Sequence, residues 1–160
     1  LQNIVFWLMG SFALADWDMV KTAAAGITAG FLPVMLMRWR LNILSTGEDE
    51  AKTMGVNVKR ERAVFIASST LMVSVAVSVS GIIGWAGLMV PHLVRMAAGP
   101  DHRRLIPLCA AAGASFMILS DTIARSATSL DIPVGIVTAM LGAPFFIFLL
   151  RRSGSASWRD

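Results

Sequence analysis

The chain holds a single cysteine, Cys109, among 160 residues, so no disulfide can form within it and its redox compartment is not readable. Charge is scarce as well: Asp, Glu, Lys and Arg make up 15% of the residues, against about 25% in ordinary soluble domains. The 14 Lys and Arg outnumber the 10 Asp and Glu, for a net charge of +4. These basic residues form no stripe interleaved with aromatics, which argues against a nucleic-acid-binding face. No glycine-rich loop ending in Lys-Ser or Lys-Thr is present, so the chain lacks the cradle with which such a loop holds ATP phosphates. Nothing resembles a cleaved signal peptide or a lipidation motif. The first residues are Leu1-Gln2-Asn3-Ile4 rather than a methionine, and the chain is expected to begin inside a longer protein.

What is abundant is apolar sequence: 56% of the residues are hydrophobic and the mean hydropathy is +0.68. Uncharged runs cover Thr22–Met37 (16 residues), Ala63–Val94 (32), Leu105–Ser120 (16) and Ile132–Leu150 (19). One bilayer crossing takes about 20 residues, so the 32-residue run is too long for one crossing and too short for two full ones. Dividing it at its glycines gives an all-α, polytopic transmembrane bundle with about five spans, near residues 22–37, 62–80, 85–98, 105–125 and 133–150. The leading Ile4–Leu14 is apolar but only 11 residues long, the end of an earlier helix or an interfacial piece. Small residues recur in the spans (Ala110, Gly113, Ala114; Gly135, Ala139, Gly142), as in membrane helices that pack closely.

Charge placement supports the count. With Thr22–Met37 ending at the cytoplasm, five alternating crossings put 12 of the 14 basic residues inside, from Arg38 and Arg40 to Arg151, Arg152 and Arg159. Only Lys21 and Arg125 fall outside, and the C-terminus is cytoplasmic. Positive charge concentrates on that side of membrane proteins.

Two segments stand out. Gly81 to Arg104 holds Gly81, Gly84 and Gly87, then Pro91-His92, then a basic turn-rich end. Proline removes a backbone donor and kinks a helix, and membranes tolerate irregular backbone only where protein or a water-filled cavity covers it. This reads as a short helix beside a transport path. His92 has three possible roles: lining that path, binding a metal, or bonding a carbonyl that Pro91 frees, the last being the expected one. The ten methionines read as gap fillers. The second segment, Arg38 to Arg62, is the longest polar one. Ser45-Thr46-Gly47-Glu48 has capping-box spacing, Gly55 is a natural helix stop and Asn57 a natural start. A short surface helix, a glycine corner and a second helix start are expected there, either as a solvated loop or as a docking element.

The chain resembles the permease subunits of FecCD-type ABC importers, which carry vitamin B12, haem and iron–siderophores. The resemblance rests on Trp7-Leu-Met-Gly-Ser11, Gly47-Glu48 with Ala51 and Gly55, Gly84-Trp-Ala-Gly-Leu-Met-Val-Pro-His-Leu-Val-Arg95 and Gly99-Pro-Asp-His-Arg-Arg104. It continues through Leu105, Pro107, Asp121, Ala124-Arg125, Pro133-Val-Gly135 and Gly142-Ala-Pro-Phe-Phe146. It implies about ten helices in the whole permease, with this chain as the C-terminal half. It implies that Gly47, Glu48, Ala51 and Gly55, in a coupling segment over 41–61, seat a cytoplasmic ATPase subunit that binds the ATP, so that the chain needs no cofactor. It further implies a bacterial plasma-membrane location, a second permease copy, and a periplasmic or lipid-anchored substrate-binding protein gripped by Arg125. Asp131-Ile132-Pro133 departs from the family's usual Glu-Leu-Pro.

Arg125 also has a local partner in Asp121, four residues earlier, at the spacing of an intrahelical ion pair. Intramembrane ionisable residues are functional candidates in their own right, which leaves an alternative: an intramembrane enzyme or channel centred on His92 and Asp121. The span directions weigh against it, since they put His92 towards the cytoplasmic half and Asp121 towards the outer half.

Overall fold

A computed structural model describes residues 2–126 and 132–154. Asp131 and Arg159 lie outside the described residues. The described residues form eight helices and no strand: α1 (Gln2–Leu8), α2 (Trp17–Leu36), α3 (Arg38–Leu44), α4 (Glu48–Thr53), α5 (Val58–Ser80), α6 (Ala86–Ala98), α7 (His102–Ser126) and α8 (Val134–Gly154).

The five long or intermediate helices fall in the expected order, but α2, α5 and α7 start earlier than the uncharged runs. Helix α2 begins at Trp17 because Asp16 caps it, its Oδ1 accepting the Met19 N–H at 2.7 Å. Helix α5 begins at Val58 because Asn57 Oδ1 accepts the Arg60 N–H at 3.1 Å. Caps satisfy first-turn donors whatever the charge of the residues they hold, so charged residues enter both helices. Helices α2, α5 and α7 are long and apolar enough to cross a membrane. Helix α6, with 13 residues, is only about 20 Å long.

The helices pack as two groups. Helix α2 lies along α5, where Gly26 faces Val75 and Gly30 faces Ser68 and Met72, a close approach that small residues permit. Helices α6, α7 and α8 pack on one another. Trp85, just before α6, meets Phe146 of α8 edge to face with centroids 5.8 Å apart. The chain's own core is small: Met89, Val90, Leu105, Ala124 and Val134 are buried in the second group, with Ser120 and Thr138. Large apolar side chains such as Ile66, Val73, Ile118 and Met140 stay exposed.

The groups are joined at both ends. At the end rich in arginine and lysine, α3 packs against α2, α4 and α7. At the opposite end, residues 7–11 run between the end of α5 and the start of α8. There the Ser11 N–H donates to the Ser80 carbonyl at 2.9 Å, and the Gly135 N–H donates to the Gly10 carbonyl at 3.1 Å. Trp7 Nε1–H reaches the Ser78 carbonyl at 3.4 Å. A Cβ at Gly81 would overlap the Trp7 carbonyl oxygen, and one at Gly135 the Met9 carbonyl oxygen. Only glycine fits these two positions.

Candidate functional site

The polar segment between α2 and α5 folds into more than the expected surface helix and corner. Helix α3 was not foreseen: Arg38–Leu44 carries no side-chain cap and little apolar periodicity, so nothing local announces it. The capping box does not form. Ser45 Oγ instead donates to the Asn42 carbonyl at 2.7 Å, and Gly47 stands at the start of α4 with φ 123° and no side-chain bond. Its carbonyl accepts the Ala51 N–H at 3.1 Å.

The end of α4 matches the sequence reading. Gly55 has φ +77°, its N–H donates to the Lys52 carbonyl at 3.0 Å, and the Val56 N–H donates to the Ala51 carbonyl at 3.2 Å. This pair of bonds is the Schellman stop, which wants a left-handed residue at this place. Asn57 then starts α5. Two glycines and a cap thus turn the chain through a tight corner.

Ala51 is fully buried and Val58 nearly so. The small side chain of Ala51 therefore lets α4 pack onto its own neighbours; it presents no surface to a partner. The outer face carries Asp49, Glu50, Thr53 and Met54, the last 61% exposed. Glu48 lies between Lys52 Nζ at 3.1 Å and Arg62 Nη1 at 3.4 Å. The hydrogen bond from Lys52, then the charges of Lys52 and Arg62, hold its carboxyl below the usual glutamate range.

Beneath the corner, Arg40 pairs with Glu61. Glu61 is buried, and among the described residues its Oε2 has no hydrogen-bond partner. The pair lines a cavity of about 390 Å³ with Met37, Asn57, Arg60 and Val64. On the other side of α3, Asn42 Nδ2 donates to Asp101 Oδ1 at 2.6 Å, and Asn42 Oδ1 accepts the His102 N–H at 2.9 Å. The Arg103 N–H bond, then the bond from Asn42, hold the Asp101 carboxyl below its usual range. Neither Glu61 nor Asn42 was singled out from sequence, because their partners lie 21 and 59 residues away. Pro100-Asp101 before α7 was the one usable signal, an ordinary helix start.

The pathway residues are placed differently from expectation. Gly84 precedes α6 and Gly87 lies in its first turn, yet neither has a positive φ, and a Cβ at either would meet nothing within 4 Å. Helix α6 runs unbroken through Pro91. His92 is exposed, and among the described residues it makes no hydrogen bond to a carbonyl; its ring meets Phe145 of α8 edge to face at 6.5 Å. Pro91 frees the Gly87 carbonyl one turn back, but the imidazole lies against Phe145 of α8 instead. Among the described residues no three His, Cys, Asp or Glu side chains group as metal ligands.

Arg125 Nε donates to Asp121 Oδ2 at 2.8 Å, so the local ion pair forms, with the arginine side chain 57% exposed. Asp121 lies near the far end of α7 and His92 midway along α6. Since α6 ends where α7 starts, the two are separated by about 20 Å along the helix axes. The structure does not bring them together. A cavity of about 590 Å³ lies between α2 and α5 and is lined by apolar groups such as Phe12, Val20, Ile27, Val77 and Met117. No acid–base pair faces it.

Comparison with known proteins places this arrangement. The profile of the FecCD transport family matches residues 1–152. The chain is 42% identical over 151 residues to the cobalamin import system permease protein BtuC of Halobacterium salinarum, covering 94% of this chain and 41% of that protein. It is 41% identical over 157 residues to the molybdate import system permease protein MolB of Haemophilus influenzae, covering 96% and 47%. A solved ABC transporter assigned to the metal-chelate type, in an inward-facing conformation, superposes with a TM-score of 0.86 at 40% identity over 95% of this chain and 49% of that one. The chain thus spans a little under half the length of these relatives. By matched length, identity and fold together, it belongs to the FecCD transport family.

Proposed function

We propose that this chain is the C-terminal part of the permease subunit of an ATP-binding-cassette importer, and that the α4 corner seats a separate cytoplasmic ATPase. The observation that supports this best is the build of the corner. A six-residue helix is fixed at both ends by glycine, anchored inward by buried Ala51, and carries Met54 outward at the basic end of the bundle. An apolar side chain on a rigid, charged corner suits a protein partner better than solvent. ATP is bound and hydrolysed in that partner, and this chain needs no cofactor of its own.

The five helices α2, α5, α6, α7 and α8 cross the plasma membrane of a bacterium, the short α6 under cover of the rest of the permease and a second copy of it. The basic end and the C-terminus face the cytoplasm. Arg125, at the opposite end, meets acidic groups of a substrate-binding protein while Asp121 orients it. Relatives import cobalamin and molybdate by name, and hemin in Yersinia pestis. A bulky chelated metal, as in an iron–siderophore, haem or cobalamin, is the cargo class assigned to this chain.

The test is co-purification of the ATPase with the full-length permease. Met54→Glu puts a charge on the outer face without touching the buried side, and charge transferred into an apolar contact is strongly disfavoured. Retention of the ATPase is expected to fall by about tenfold or more, a change of about 1.4 kcal/mol, with membrane insertion unchanged. Undiminished retention would overturn the assignment of the corner. Uptake of labelled cyanocobalamin, hemin, ferrichrome and molybdate into proteoliposomes holding permease, ATPase and binding protein then identifies the cargo.

A further inference from the structure

We propose that Asn42 is a positioning residue that carries displacement of the α4 corner into the junction of α6 and α7; this rests on the corner being where the ATPase acts. Helix α3 is the element of the basic end that packs on both α4 and α7. Arg40 and Asn42 sit two residues apart on it, so they project about 200° apart. Arg40 reaches Glu61 on α5. Asn42 reaches the first turn of α7 on the other side.

The contact with α7 is specific. The first N–H groups of a helix lack partners within it. In α7, Asp101 Oδ1 accepts the Arg103 N–H at 2.9 Å, while the His102 N–H is taken by Asn42 Oδ1 at 2.9 Å. Asn42 Nδ2 donates to the same Asp101 carboxylate oxygen, and His102 Nδ1 lies 2.7 Å from Asn42 Oδ1. Only one orientation of the amide satisfies both neighbours, with oxygen to the N–H groups and nitrogen to the carboxylate. It also sets the imidazole tautomer, with the proton on Nδ1. One side chain from α3 thereby fastens the start of α7, which follows α6 after the turn at Gly99-Pro100. Three residues beyond Asn42 the chain turns into Ser45 and the α4 corner. A push on α4 thus reaches α6 through α3 and Asn42, besides reaching α5 directly through the Glu48–Arg62 pair.

The test uses full-length permease with its ATPase, in a cysteine-free background that includes Cys109→Ala. Spin labels at Ile66→Cys on α5 and Met96→Cys on α6, both exposed positions, report the distance between the two groups with and without ATP and vanadate. Asn42→Asp sets two carboxylates face to face and should cut the ATP-driven distance change by about tenfold, the scale of a coupling free energy. Asn42→Asp combined with Asp101→Asn reverses donor and acceptor and should restore the change. ATPase co-purification and thermal midpoint are followed in parallel. A purely structural role would lower the midpoint yet leave the distance change of the folded complex intact, and that result overturns the inference. So does a double variant that stays silent, or a wild-type complex that binds ATPase without any distance change. A wild-type permease that does not retain the ATPase overturns the coupling reading, and this inference with it.

Discussion

Glu61 is the residue whose situation is most demanding. Its carboxylate is buried, with Oε1 on Arg40 and Oε2 unpartnered. Removing one partner of such a pair strands a charge, whereas neutralising the carboxylate does not. Arg40→Ala is therefore expected to destabilise the permease by about 1–3 kcal/mol; that is below the loss for a fully buried pair because the Arg40 side chain is 40% exposed. Glu61→Gln, which keeps an oxygen for Arg40, should cost less. Thermal unfolding of the two purified variants in one detergent decides the order. This pair was invisible in the sequence, as was Asn42 with Asp101. Helical neighbours three or four apart can be read from spacing, and the Asp121–Arg125 pair was; bonds between helices distant in the chain have no such signature.

At the scale of elements, the corner between α4 and α5 was legible because its chemistry is local. Gly55 stops one helix and Asn57 starts the next, each within three residues of the groups it satisfies. Helix α3 was not legible, and Ser45, at the capping position by spacing, bonds back to the preceding turn instead. A Cβ at Gly55 would meet nothing within 4 Å, so its replacement has only a conformational cost, about 1–2 kcal/mol for a non-glycine residue in the left-handed region. Gly55→Ala is thus expected to speed hydrogen exchange at the amides of residues 55 and 56 by about tenfold. Mass-spectrometric exchange across residues 48–58 measures it, and unchanged protection would show that the stop is held by something other than the glycine.

For the whole molecule, counting apolar runs found the order and approximate extent of every long helix. The length of α6 was legible as a difficulty, not as a solution, since what covers its sides lies beyond this chain's own packing. Exposed Ile66, Val73, Ile118 and Met140 face either lipid or further protein, and a sequence reports apolarity without naming the neighbour. Orientation is the more testable property. In a cysteine-free full-length permease that includes Cys109→Ala, Ala13→Cys should react with a membrane-impermeant maleimide from outside intact cells. Thr53→Cys should react only after permeabilisation. The reverse pattern would invert the bundle.

The threading of residues 7–11 between Gly81 and Gly135 has a mechanical meaning. Apart from the bond from the Trp7 indole to the Ser78 carbonyl, its bonds run from backbone to backbone, so changing the other side chains around it leaves the junction intact, provided the glycines stay. It can therefore serve as a fulcrum indifferent to cargo. Helix α8, which starts at this junction and has 21 residues, is a lever about 32 Å long. A tilt of about 10° about such a fulcrum swings its far tip by about 6 Å, enough to spread neighbouring helices at one face of the membrane while the other stays shut.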